Sequence, residues 1–341
     1  MPQLSSPQKK LFTVVKVVLA AVILGFLFQR IQAESGFERL LNEPKNWLSL
    51  AFSQGLVLVA FSLSFVRWYL LVRGLDLKFH LGDAFRLGTL GYMLNQVSPG
   101  SVGGDLVKAV FIAREQPGKR TEAVATVLVD RVIGLYAMLL IASLGLVLAG
   151  GDLDSEKLLT SLRTVVWSAT LCGTAGLTLV LSPLATGKRA RALAEELPMF
   201  GTTVTRLIEA ADVYRSRHSY LLAAFGLAMT THCLLITAFW CISVGLPVAG
   251  PTFAQNASIV PIGLVAGALP LTPGGIGALE GGMELLYTMI GAGKGDGTIV
   301  ALAYRAMTYI FAAIGAFYYF SSRKRVDDLL HEAEILADQT A

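Results

Sequence analysis

Apolar residues run along this chain in long blocks, not in the alternating or one-sided patterns of soluble strands and helices. A window of about 19 residues picks out six uninterrupted stretches, at 11–29, 47–71, 121–149, 161–183, 219–245 and 298–320. Each is long enough for a helix, rising about 1.5 Å per residue, to cross a hydrocarbon layer about 30 Å thick. Two further regions, 84–113 and 252–292, are apolar but interrupted by Gly and Pro. Such backbone is tolerated at membrane depth only where protein buries it or where it lines a cavity. Both are therefore expected to form re-entrant or broken helical hairpins that enter and leave on one side. The pattern predicts an all-α polytopic membrane protein, with residues 1–341 as a single integral membrane domain.

Composition agrees. Hydrophobic residues make up 54% of the chain and charged residues 15%, against about 45–50% and about 25% in soluble domains. Mean hydropathy is +0.61, so a soluble fold would lack the polar side chains to cover itself. The net charge of +4 is small, and no basic cluster is interleaved with aromatics as single-strand binders require. No nucleic-acid partner is expected. Cys172, Cys233 and Cys241 lie in apolar segments and read as buried small hydrophobes. His80, His218, His232 and His331 are scattered, so no metal site and no cofactor is expected.

Charge also orients the chain. Lys9 and Lys10 precede the first apolar stretch, and no small-x-small cleavage site follows it, which predicts an uncleaved first helix. With the N-terminus cytoplasmic and the broken regions re-entrant, sixteen Lys/Arg fall in cytoplasmic segments and five on the other side. The positive-inside rule then predicts a cell (inner) membrane protein with both termini cytoplasmic. Segment 184–218 becomes a basic cytoplasmic loop carrying Lys188, Arg189, Arg191, Arg206, Arg215 and Arg217, and 321–341 a cytoplasmic tail.

The two broken regions resemble each other. Ser98-Pro99-Gly100-Ser101-Val102-Gly103-Gly104-Asp105 matches Thr272-Pro273-Gly274-Gly275-Ile276-Gly277-Ala278-Leu279-Glu280. Pro99 and Pro273 are 174 positions apart, and Gly100/Gly274, Gly103/Gly277 and Arg131/Arg305 keep that offset. The pattern predicts two repeats, 47–149 and 219–320. Three crossings separate their starts, so the second would be inverted. Paired Gly/Pro-interrupted segments in inverted copies point to the central site of a transporter.

Arg131, preceded by Asp130, and Arg305 each lie well inside an apolar stretch, where a charge costs about 2.5–3.5 kcal/mol on insertion scales. Two readings stay open. The arginines form internal pairs, Arg131 with Asp105 and Arg305 with Glu280, or they bind a lipid phosphate through the guanidinium fork. Pro99-Gly100 and Pro273-Gly274-Gly275 either expose N–H groups and helix N-termini to an anion or serve as packing notches. Lys108, three residues beyond Asp105, would share its helical face. Arg67, followed by Trp68 and Tyr69, reads as a snorkelling cation with interfacial anchors. Asp83, Arg86 and Glu284 read as supporting groups. No nucleotide-binding loop, Gly-x-Ser-x-Gly elbow or metal cluster occurs, so the chain is not expected to be an enzyme.

These residues together resemble the flippase-like membrane family typified by the transmembrane region of lysylphosphatidylglycerol synthase. The resemblance rests on Asn95-x3-Pro-Gly-x2-Gly-Gly-Asp105, the Asp130-Arg131 pair, Pro270-x-Thr-Pro-Gly-Gly-Ile-Gly-x2-Glu280 and Arg305. It implies movement of a phospholipid or lipid-linked molecule between leaflets. The candidate site it implies comprises Asn95, Pro99, Gly103, Gly104, Asp105, Asp130 and Arg131 in the first copy, and Pro273, Gly274, Gly275, Glu280 and Arg305 in the second. Lys108 stands where members often carry arginine. The full synthase continues into a soluble aminoacyl-transferase domain, so this chain is expected to move a lipid and not to aminoacylate one. The expected partner is a membrane lipid with a phosphate-bearing headgroup; a homo-oligomer and a separate lipid-synthesising enzyme stay open. The alternatives to a translocase are a secondary transporter of a small anionic solute and a membrane scaffold for envelope lipid assembly.

Overall fold

The computed structural model describes residues 36–97, 103–148, 157–182, 201–268 and 274–321, with Gly25, Gly187 and Thr272. Eleven helices and no strands occur among the described residues. They are α1 (Gly36–Asn42), α2 (Trp47–Gly74), α3 (Leu81–Val97), α4 (Gly103–Glu115), α5 (Arg120–Leu148), α6 (Lys157–Val180), α7 (Gly201–Ser216), α8 (His218–Gly245), α9 (Phe253–Ala268), α10 (Ala278–Met289) and α11 (Asp296–Ser321). Apart from Gly25, the predicted span 11–29 lies outside the described residues, as do most of 184–200 and the tail beyond Ser321.

Four helices, α2, α5, α8 and α11, are long and apolar enough to cross a membrane. Their 26 to 29 residues exceed the roughly 20 that a span needs. Of the remaining predicted spans, 161–183 is helical as α6, with 24 residues, but more polar. Four of its threonines turn their hydroxyls back to carbonyls one turn earlier, as Thr170 does to Val166 at 2.8 Å. The two interrupted regions are each a pair of short helices, α3–α4 with 17 and 13 residues and α9–α10 with 16 and 12. Each of these is too short to span alone.

The order of elements therefore repeats: a long helix, two short helices separated by a Gly/Pro-containing segment of the sequence, then a long helix. Contacts follow the same pattern. The leading helices α2 and α8 pack along one another, with Ser53 donating to the Ala238 carbonyl at 2.9 Å and Ser49 to that of Cys241 at 2.8 Å. Small and hydroxyl residues at a helix interface allow this close approach in apolar surroundings. Each first short helix packs on the closing helix of the other half, α3 on α11 and α9 on α5. Glycines make both crossings possible. A Cβ on Gly145 would lie 2.5 Å from the Ala257 carbonyl carbon, and one on Gly315 would lie 2.3 Å from the Thr89 oxygen.

Aromatic rings fill the centre, where Phe61 stacks on Phe311 with centroids 4.7 Å apart and Tyr92 meets Phe61 edge-on. Large apolar side chains also cover the outside, among them Phe52, Leu128, Leu222 and Phe317, as a surface solvated by lipid requires. This corrects the reading of the cysteines. Cys241 is buried, but Cys172 and Cys233 sit on exposed helix faces, since an apolar thiol suits a lipid-facing position as well as a core. At the helix ends Arg217 hydrogen-bonds Asp76 and holds its carboxyl below the usual carboxylate range. That tie is complete at neutral pH and is lost only as pH falls through the depressed value.

The glycine crossings give a direct test. Gly145→Ala should destabilise the protein by about 1–3 kcal/mol, because backbone opposite backbone cannot relax by changing rotamers. Gly226→Ala, where a Cβ meets nothing within 4 Å, should be neutral or stabilise by up to about 1 kcal/mol through helix propensity. Thermal unfolding of both variants in detergent checks the difference.

Candidate functional site

Helix α5 organises one side of the site. Consecutive residues on a helix point about 100° apart, so Asp130 and Arg131 must serve different neighbours. Asp130 accepts from Arg67 on α2, from Nε at 2.7 Å and Nη2 at 3.1 Å. Arg131 donates through Nε to Asp105 on α4 at 2.5 Å. Lys108, one turn along α4, stands 3.9 Å from the same carboxylate and 5.3 Å from the centre of the Trp68 ring. Two adjacent residues thereby tie α5 to both α2 and α4.

Helix α11 organises the other side. Arg305 donates through Nε to Glu280 at 2.5 Å and through Nη2 to its second oxygen at 3.2 Å. It also donates to the carbonyls of Gly274 at 3.1 Å and Gly275 at 3.0 Å. Four of the five N–H groups of a guanidinium are thus committed, two to the turn before α10 and two to Glu280 in its first turn. Glu280 is fully buried and accepts the Gly277 N–H at 2.7 Å. Gly275 has φ +66°, and a Cβ there would lie 2.0 Å from the Gly267 oxygen. Only glycine lets the turn fold back against α9 while presenting its carbonyls to Arg305.

The first hairpin closes similarly. Asn95 at the end of α3 accepts the Gly104 N–H at 2.8 Å, and a Cβ on Gly104 would lie 2.1 Å from the Gly91 oxygen. The N–H groups of Gly104 and Gly277, beside the turns expected to expose donors to an anion, are therefore taken by Asn95 and Glu280, while the Pro99-Gly100 turn lies outside the described residues. A buried donor without a partner costs too much to leave open.

Between the two sides lies a partly open cavity of about 350 Å³, at the small end of the roughly 300–1,000 Å³ typical of ligand pockets. Asn95, Asp105, Lys108, Asp130, Arg131, Gly274 and Arg305 line it. Gly104, Gly275 and Glu280 stand behind that wall, and Gly103 begins α4. Pro99 and Pro273 lie outside the described residues. Both ion pairs set against substrate contact in the sequence reading are formed, yet they differ. The Arg131 side chain is 50% exposed and that of Arg305 9%.

Arg67 also lines the cavity, which corrects its reading as a snorkelling cation. It lies seven residues before the end of α2, about 10 Å along the axis, and is buried with Asp130. Trp68 is no interfacial anchor either; it is buried and donates its indole N–H to Thr126 at 3.3 Å. Asp130 held the clue, since a neighbour in sequence cannot face it across a helix and a third residue had to. Tyr92, Gln96, Tyr304 and Thr308 complete the wall, and no sequence signal singled them out. Glu284 accepts from the Gly295 and Thr298 N–H groups and the Thr298 hydroxyl, which makes it a cap for the start of α11. Asp83 and Arg86 pair at 3.9 Å at the start of α3. No group of three or more His, Cys, Asp or Glu converges to hold a metal among the described residues.

Long apolar helices around a polar, ion-paired cavity define a helical membrane protein. The chain belongs to the family of the lysylphosphatidylglycerol synthase TM region, whose profile matches residues 13–316. No curated protein and no solved structure matches the chain.

The two arginines should respond differently to removal. Arg305→Ala strands a buried carboxylate and should cost about 3–5 kcal/mol. Arg131→Ala opens a half-exposed pair and should cost about 1 kcal/mol or less. Thermal unfolding of the purified variants checks this, and equal losses would contradict the assignment of Arg305 as the buried pin.

Proposed function

We propose that this chain is a lipid translocase of flippase type in the cell membrane, with both termini cytoplasmic and no enzymatic activity of its own. In this reading residues 47–149 and 219–320 are inverted copies, and the two short-helix pairs are re-entrant hairpins whose inner ends meet at the cavity. The repeated element order, the reciprocal packing of α3 on α11 and α9 on α5, and the matched pairs Arg131–Asp105 and Arg305–Glu280 support it. The carrying observation is the convergence of both motifs, far apart in sequence, on one cavity.

The roles divide by exposure. Arg131 and Lys108 contact the headgroup phosphate, because Arg131 is half exposed and Lys108 shares its carboxylate. Asp105 orients Arg131 and exchanges it with the incoming anion. Arg305 and Glu280 hold the second hairpin in shape. Phe61, Phe65, Leu264 and Leu279 line the cavity beside the charged groups. That mixed wall suits the junction between a lipid headgroup and its chains better than a fully hydrated solute. The absence of a nucleotide-binding loop from the sequence leaves gradients or coupled ions as the drive.

Reconstitution into vesicles with a headgroup-labelled phospholipid and a membrane-impermeant quencher tests the proposal. The protein should accelerate leaflet exchange over protein-free vesicles. Arg131→Ala and Asp105→Asn should each slow it about tenfold or more, the effect of losing one charge-assisted hydrogen bond at the barrier. Exchange at the protein-free rate, or variants as fast as the parent, would overturn it.

A further inference from the structure

Among the described residues, the charges around the cavity do not balance. Arg67, Lys108, Arg131 and Arg305 line it, against Asp105 and Asp130. Adding Glu280 behind the wall still leaves one positive charge in excess. The pairing shows where that charge resides. Arg67 has Asp130 in a two-bond fork, and Arg305 has Glu280. Arg131 takes Asp105 at 2.5 Å, leaving Lys108 at 3.9 Å from a carboxylate already engaged. Residues 98–102 and 269–273, between the short helices of each pair, include no ionisable side chain. Lys108 also stands beside an aromatic face, 5.3 Å from the centre of the Trp68 ring, and such a face attracts a cation without neutralising it.

An uncompensated cation at membrane depth is costly unless an anion or water answers it. We infer that the cavity selects by net charge: its occupant is a headgroup carrying a single negative charge, a phosphodiester without a compensating ammonium, and Lys108 is the selecting residue. A zwitterionic headgroup would bring a second cation into a wall that already has one too many, and a net-cationic headgroup would be worse. Arg131 reads the phosphate in either case, so Lys108 decides between lipids that share it. This inference rests on the reading of the cavity as a lipid site, and the test separates the two.

The full-length protein is placed in nanodiscs with matched acyl chains and a choice of phosphatidylmethanol, a monoanionic phosphodiester with no ammonium and no hydroxyl, or zwitterionic phosphatidylcholine. Lipid retained through purification is then quantified. The parent should retain phosphatidylmethanol about tenfold over phosphatidylcholine, equivalent to about 1.4 kcal/mol. Lys108→Gln should bring the ratio within about twofold while still retaining lipid, and Lys108→Arg should restore it. No charge preference in the parent, or an undiminished preference in a folded Lys108→Gln protein, overturns the inference and leaves the lipid site standing. Retention of neither lipid, with no binding of millimolar inorganic phosphate, overturns both. Binding of millimolar inorganic phosphate that Lys108→Gln weakens, with neither lipid retained, would support the charge rule while contradicting the lipid reading.

Discussion

An arginine placed among apolar helices must be answered by a carboxylate, a carbonyl or a ligand, because hydrocarbon offers it nothing. The architecture of this protein follows from that constraint. Arg305 gathers Glu280 and two carbonyls of the Gly274–Gly275 turn, so one side chain sets the position of α10, the shape of its turn and the floor of the cavity. The turn can be reached only because Gly275 takes a left-handed conformation against α9. On the opposite side, Asp130 and Arg131 distribute the same demand over α2 and α4. The polar centre is thus both the tie between short helices that cannot span alone and the wall of the cavity.

Much of this was legible in the sequence because the signals are costly features. Apolar blocks of spanning length located four long helices within a few residues of their ends. Gly/Pro interruptions located both short-helix pairs, the 174-residue offset paired Arg131 with Arg305, and their pairing with Asp105 and Glu280 was one of the two readings left open. What could not be read was depth and direction. Arg67 was assigned to the interface because Trp68 and Tyr69 follow it, while the helix in fact continues two turns further, to Gly74. The glycine motifs suggested anion-binding turns, and the sequence could not show that Asn95 and Glu280 take the N–H groups of Gly104 and Gly277 beside them. The neutral wall residues Tyr92, Gln96 and Thr308 come from helix faces that have no distinctive local pattern.

The two arginine–carboxylate pairs differ. Arg305–Glu280 is buried, and Arg131–Asp105 is half exposed beside Lys108, which shares its carboxylate. Closing one arginine on its own turn leaves one side of the cavity fixed and the other open to exchange, which suits the proposed function of holding an anion and releasing it. On the proposed function, exchanging Asp105 for a phosphate on Arg131 would alter one contact between α4 and α5 while leaving the second hairpin intact.

The most direct measurement is an experimental structure of the protein in a lipid nanodisc at a resolution that shows headgroups. The account predicts phosphate density within hydrogen-bond reach, about 2.7–3.2 Å, of Lys108 and Arg131, with Arg305 still bound to Glu280 and the Gly274–Gly275 carbonyls. A headgroup seated on Arg305, with Lys108 remote from any anion, would contradict it.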